Sequence, residues 1–189
     1  MSSQGVITTL APLDREDVAL YSLTLEARDN PGAPLSEQRK TPGYIRVRLL
    51  DVNDNRPAFE QTFYAGADIT ENTKVGSRVA TVKAVDADIG DNGVVVYSLD
   101  FAAGNSSDLF GVRTGADSGR LYVSAPLHGK VGVYSVVVVA RDRGDPSLWS
   151  AATVIVHVED VNDHIPNIIH PPQNQTVYIL EVSGSHVPQ

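Results

Sequence analysis

Apolar and polar residues alternate one by one along much of this chain. Tyr21, Leu23, Leu25 and Ala27 interleave with Ser22, Thr24, Glu26 and Arg28; Ile45, Val47 and Leu49 interleave with Arg46, Arg48 and Leu50. Val154, Val156 and Val158 do the same with Ile155, His157 and Glu159. A period of two sends successive side chains to opposite faces, so each run predicts a strand with one buried side. Turn-forming groups stand between the runs: Asn30-Pro31-Gly32, Asp91-Asn92-Gly93, Asp117-Ser118-Gly119 and Gly144-Asp145-Pro146. Asn30 to Gly43 reads as a long loop, and Trp149 as a loop residue between strands. No stretch holds a helical period beyond three turns. Short strands with a turn every ~8–12 residues predict an all-β, antiparallel sandwich.

The pattern also repeats. Tyr21-Ser22-Leu23-Thr24-Leu25-Glu26-Ala27-Arg28-Asp29 recurs as Tyr134-Ser135-Val136-Val137-Val138-Val139-Ala140-Arg141-Asp142, and Asp51-Val52-Asn53-Asp54-Asn55 recurs as Asp160-Val161-Asn162-Asp163-His164. The offset, about 110 residues, is the size of one sandwich domain rather than of a solenoid unit. Glu60 to Asp117 has no earlier counterpart, and one further strand-like run, Thr176 to Val182, follows Pro166. The expected division is residues 1–57 as the back half of one domain, 58–164 as a whole domain and 165–189 as the start of a third. Such a chain is a segment of a longer array.

Composition narrows the function. Fifteen Lys and Arg against 23 Asp and Glu leave a net charge of −8, the wrong sign for nucleic acid or an anionic leaflet. The absence of cysteine removes disulfides, thiol catalysis and cysteine-zinc sites. Val131 to Ala140 is the longest nearly apolar run and is too short to span a bilayer. Residues 1–4 show no basic region leading into an apolar one, so they do not read as a signal peptide. No nucleophile–base pairing stands out, the five histidines have no metal spacing, and the chain reads as non-enzymatic.

The acids gather at predicted strand ends: Asp51 with Asp54, Asp86 with Asp88, Asp142, and Asp160 with Asp163. Carboxylates this close repel unless a cation neutralises them. An all-oxygen donor set points to a hard cation, and roughly six to eight flexible oxygens suit Ca²⁺ better than Mg²⁺. Asp and Asn also form turns, but recurrence in register favours the metal reading. An EF-hand fails, because Arg56 and Thr62 stand where a loop starting at Asp51 needs Gly and Glu.

These residues carry a family resemblance. Leu13-Asp14-Arg15-Glu16, Ala27-Arg28-Asp29 and Asp51-Val52-Asn53-Asp54-Asn55-Arg56-Pro57 resemble the back half of a cadherin extracellular repeat. Glu71-Asn72, Asp86-Ala87-Asp88, Ala140-Arg141-Asp142 and Asp160-Val161-Asn162-Asp163 continue the pattern through a whole repeat. The resemblance implies seven-stranded Greek-key, immunoglobulin-like β-sandwiches in tandem, with three Ca²⁺ at each junction. At the first junction it implies one site from Asn53, Asp86, Asp88 and Asp142 with the carbonyls of Asn55 and Asn92. Two more would draw on Asp14, Glu16, Asp51, Asp54 and Asp88 with the carbonyl of Val52. At the second junction it implies Glu71, Asp160, Asn162, Asp163 and the carbonyl of His164. There Leu127-His128-Gly129-Lys130 replaces Leu-Asp-Arg-Glu and removes both acids.

The implied role is calcium-dependent adhesion or recognition between cells, through other cadherin-type ectodomains, homophilic or heterophilic, on the extracellular side of a membrane-anchored parent. The competing reading is a calcium-stabilised spacer or carbohydrate-binding module, which sparse aromatics (6%) disfavour. Asn105 and Asn174 head glycosylation sequons. Arg143-Gly144-Asp145 spells an integrin-binding tripeptide, but ordinary loop chemistry accounts for it. The lone Trp, Trp149, gives no support to adhesion by strand exchange. Val137 and Val139 lie on the outward face, as a partner surface or under a neighbouring segment.

Overall fold

A computed structural model describes residues 5–30, 32–105, 107–163, 166–167, 174, 176 and 178. It is built from strands, and its only helices among those residues are two short 3₁₀ turns. Among the described residues no helix is long and apolar enough to cross a membrane.

Strands β1 (Leu20–Arg28) and β2 (Lys40–Arg48) form an antiparallel two-stranded sheet. Tyr21, Leu23, Ile45 and Val47 share one face and are half-buried, while Leu25 is exposed. The predicted Asn30–Gly43 loop is shorter than expected, because Lys40–Gly43 already pair with Leu25–Arg28. Pro42 is tolerated there because a two-stranded sheet consists of edges.

The remaining strands form the sandwich. They are β3 (Ala58–Phe59), β4 (Phe63–Ala65), β5 (Ile69–Thr70), β6 (Arg78–Val82), β7 (Ala84–Val85) and β8 (Val96–Leu99). Then come β9 (Phe110–Thr114), β10 (Gly119–Val123), β11 (Gly132–Arg141) and β12 (Trp149–Glu159). One layer has the order β6-β10-β9 and the other β4-β12-β11-β8, with β5 also on β12; β3 pairs β7. Residues 58–70 thus act as one broken edge strand that switches layers. The switch corrects the purely antiparallel expectation: β4 and β5 run parallel to β12. The chain crosses between layers without reversing, so it meets β12 in the same direction. Trp149 is likewise not in a loop, since it opens β12 opposite Arg141.

The period-two pattern fills the space between the layers. Val136, Val138, Val154 and Val156 from one side meet Phe110 and Leu121 from the other, all essentially water-free. Each such side chain contributes about 1.5–3 kcal/mol over an exposed one. Tyr97 crosses this core. Its hydroxyl accepts from the Ala84 amide at 2.8 Å, and a β-carbon at Gly119 would lie 2.7 Å from its ring. Val137 and Val139, expected on the outward face, are half-buried. Beside them, Gly104 packs on the Ser135 carbonyl, and Asn105 bonds the backbone of Ser135 and Val133.

Candidate metal centre

The first end of the sandwich is where β7 and β11 stop and the segments flanking β1 and β2 arrive. Asp14 caps its own turn: its carboxylate accepts from the amides of Glu16 (2.8 Å) and Asp17 (3.3 Å). That turn presents Glu16, whose carboxylate meets those of Asp51, after β2, and Asp88, after β7. One oxygen from each lies within 4.8 Å of the others. Asp88 is 6% exposed and accepts from the backbone amide of Asn55 (3.2 Å) and from its side chain (2.8 Å). Asp51 accepts from the Asn92 side chain at 2.9 Å and from the Ile89 amide.

Asp142, 3% exposed, sits just past β11. Its carboxylate accepts from the amides of Gly144 and Leu148, both 3.0 Å, and from Asn53 at 3.2 Å. Burial acts to raise its pKa, but the Leu148 and Gly144 amides outweigh it and hold the group below its ordinary value. Asp86 moves the other way. Burial pushes its carboxyl up, the Asp88 amide only partly offsets this, and repulsion from Asp88, Asp142 and Asp51 adds to it.

Two buried oxygens here have no hydrogen-bond partner: Asp86 Oδ2 and Asn53 Oδ1. Buried oxygens without donors, beside converging carboxylates, are the donor set that a hard cation completes. The residues therefore fit Ca²⁺. Arg15, an acid-flanked residue overlooked in the sequence, supplies part of the missing charge. Its Nε lies 2.5 Å from Asp51, its terminal nitrogen pairs with Glu16, and it donates to the Ala87 carbonyl at 3.1 Å. Gly144 is the other omission, since a β-carbon there would lie 2.1 Å from the Asn53 amide. The middle of the Arg143-Gly144-Asp145 tripeptide is thereby packed into this site.

Not every expected residue converges. Asp54 is exposed and accepts from the Asn55 side chain, and the Val52 carbonyl accepts from the Asp54 amide. At the other end, Glu71 follows β5 and is 6% exposed. It accepts from the Gly129 amide at 2.6 Å and from the Val161 amide at 3.4 Å, with His128 Nδ1 at 3.4 Å. The Gly129 amide is the main reason its carboxyl is held below the ordinary range. Asp160 is exposed but its side chain hydrogen-bonds that of Glu71, Asn162 is exposed, Asp163 accepts from Asn72 at 3.3 Å, and His164 lies outside the described residues. The sequon residue Asn174 is exposed with φ +67°.

Residues 66–159 match the family model described as "Cadherin domain". Cadherin-23 of Rattus norvegicus is 38% identical over 177 residues, spanning 94% of this chain and 5% of that protein. The Caenorhabditis elegans "Cadherin EGF LAG seven-pass G-type receptor fmi-1" is 41% identical, covering 87% of the chain and 6% of the receptor. The chain thus spans a small fraction of these relatives. Among solved structures, mouse Cadherin-23 EC22-24 aligns with TM-score 0.71 and 38% identity over 80% of this chain and 46% of that one. The protocadherin gammaB7 EC3-6 cis-dimer aligns with TM-score 0.72 and 32% identity, over 85% and 37%.

Proposed function

We infer that this chain, which belongs to the cadherin family, is a calcium-stiffened piece of an adhesive ectodomain. The supporting observation is the meeting of Glu16, Asp51 and Asp88. Two of these come from the segment before the sandwich and one from the sandwich itself, so a shared cation would join the two parts. This supports the division between 1–57 and 58–164, with the joint near residue 57.

Glu16, Asp51 and Asp88 would hold one ion, and Asn53, Asp86 and Asp142 another, with Asp14 and Asp54 alongside. Bound calcium supplies charge neutralisation and a hub for many oxygens. The rest falls to the chain. Asn55 and Asn92 aim the carboxylates of Asp88 and Asp51, and the amides of Gly144 and Leu148 fix Asp142 in its ionised form. Arg15 bridges to the Ala87 carbonyl and keeps the two parts in register before an ion arrives. Without an ion the crowded acids repel and the joint loosens. A stiff joint lets distal repeats reach a cadherin-type partner on another cell, outside the membrane that anchors the parent, without any enzymatic step. Calcium-titration calorimetry of the chain and of Asp88→Asn tests this. The wild type should bind calcium and the variant should lose at least one ion; identical isotherms would defeat the reading.

A further inference from the structure

The two ends of the sandwich carry matching sequence elements. Leu13-Asp14-Arg15-Glu16 aligns with Leu127-His128-Gly129-Lys130, and Asp51-Val52-Asn53-Asp54 with Asp160-Val161-Asn162-Asp163. The Asp/Asn turn closes the same way in both: the Asp54 amide donates to Val52 at 2.9 Å, and the Asp163 amide to Val161 at 2.7 Å. The facing element differs. At the first end Glu16 brings a third carboxylate to Asp51 and Asp88. At the second, Lys130 stands in its place, exposed, with hydrogens to donate and no oxygen to offer.

Glu71 is the buried carboxylate of this second end, and among the described residues it joins no metal-sized cluster. Its oxygens are contacted by protein donors and by the Asp160 side chain, so this end brings together a pair of acids where the first brings three. Gly129 donates to Oε2 at 2.6 Å and Val161 to Oε1 at 3.4 Å, while His128 Nδ1 lies 3.4 Å from Oε2. The turn is built to deliver that amide. Leu127 is buried beneath it, the Lys130 amide closes it on the Leu127 carbonyl at 2.8 Å, and Gly129 takes φ +67°, where a side chain is strained. A cation approaching Glu71 shares Oε2 with the Gly129 amide and meets no third carboxylate among the described residues.

We propose that the Glu71 end is a cation-independent joint, in which the Gly129 amide and the His128 ring hold the buried carboxylate and Lys130 stands where the other end has its third acid. The contrast rests on the calcium reading of the first end, whereas the joint itself rests on the contacts of Glu71. Its tie to the Asp160–Asp163 turn, through the Val161 amide, then survives calcium withdrawal.

Thermal unfolding of the chain in EDTA and in millimolar calcium tests the proposal. Glu71→Gln should lower Tm by about 5 °C in both, because a charge-assisted bond is lost whether or not calcium is present. Conversely, an EDTA Tm that is unchanged or raised, with a smaller calcium-induced rise, would make Glu71 a cation ligand and overturn the proposal. The double variant His128→Asp with Lys130→Glu should add to the calcium-induced rise, and Glu71→Gln in that background should remove the addition. A double variant with no added response would count against the role given to these two residues. Wild type and Asp88→Asn report on the first end separately. A wild type indifferent to calcium would remove the first-end reading, while Glu71→Gln in EDTA would still decide this one.

Discussion

Where β7 and β11 run out, Asp86, Asp88 and Asp142 lie beside Asp51 and Glu16, with Arg15 threaded among them. Where β5 and β12 run out, Glu71 lies under the Gly129 amide, with His128 and Lys130 on an exposed turn. Both ends are built from strand terminals, and both bury carboxylates. The first gathers more negative charge than its own donors offset, leaving oxygens of Asp86 and Asn53 without partners. The second has two acids in contact, Glu71 and Asp160, with the Gly129 amide donating to Glu71. The turn that carries Glu16 at one end and Lys130 at the other is where the two differ most in charge.

Substitutions can break or sharpen this contrast. Leu127→Ala should have the largest effect, about 3 kcal/mol, because it empties a buried site under the Gly129 turn. The loss should be the same in EDTA and in calcium by chemical denaturation. Asp142→Ala follows, at about 2 kcal/mol in EDTA alone, since the buried donors of Leu148, Gly144 and Asn53 lose their acceptor. Calcium should widen that deficit, whereas a metal-only role would leave the EDTA stability untouched.

Asp88→Asn should remove mainly the calcium increment, about 1.5 kcal/mol for one ion of ~10⁻⁴ M affinity at millimolar calcium. Gly129→Ala should cost about 1 kcal/mol irrespective of calcium. Nothing lies near the added methyl, so the cost is backbone strain at φ +67°. Lys130→Ala, at an exposed site, should change stability by less than about 0.5 kcal/mol.

Much of this was readable in the sequence. Alternation located β1, β12 and the buried valines, because a two-residue period admits only one face to a core. The acidic strand ends named Asp51, Asp88 and Asp142, because Asp51 and Asp142 lie in elements that recur and Asp88 in a local Asp-x-Asp pair. What escaped depends on long-range geometry. The layer switch of residues 58–70 and its parallel pairing with β12 leave no mark in a period-two pattern. Lys40–Gly43 looked like loop because Pro42 and Gly43 are turn formers, yet pairing with Leu25–Arg28 overrides that preference. Arg15 was quoted within a motif, but its ion pair with Asp51 becomes visible only when distant segments meet. The contact of Gly129 with Glu71 spans 58 residues, and no local signal announces a backbone donor. The loss of both acids at His128 and Lys130 was legible, whereas the Gly129 amide on Glu71 was not.

Amide hydrogen exchange on the wild-type chain, with calcium and with EDTA, tests the central claim most directly, because each end reports through its own backbone donors. Calcium should slow exchange at Asn55 and Ile89, which donate to Asp88 and Asp51, and at Glu16, which donates to Asp14. Gly129 and Val161, which donate to Glu71, should exchange at the same slow rate in both conditions. Calcium-dependent protection at Gly129 and Val161 equal to that at Asn55 and Ile89 would contradict the account.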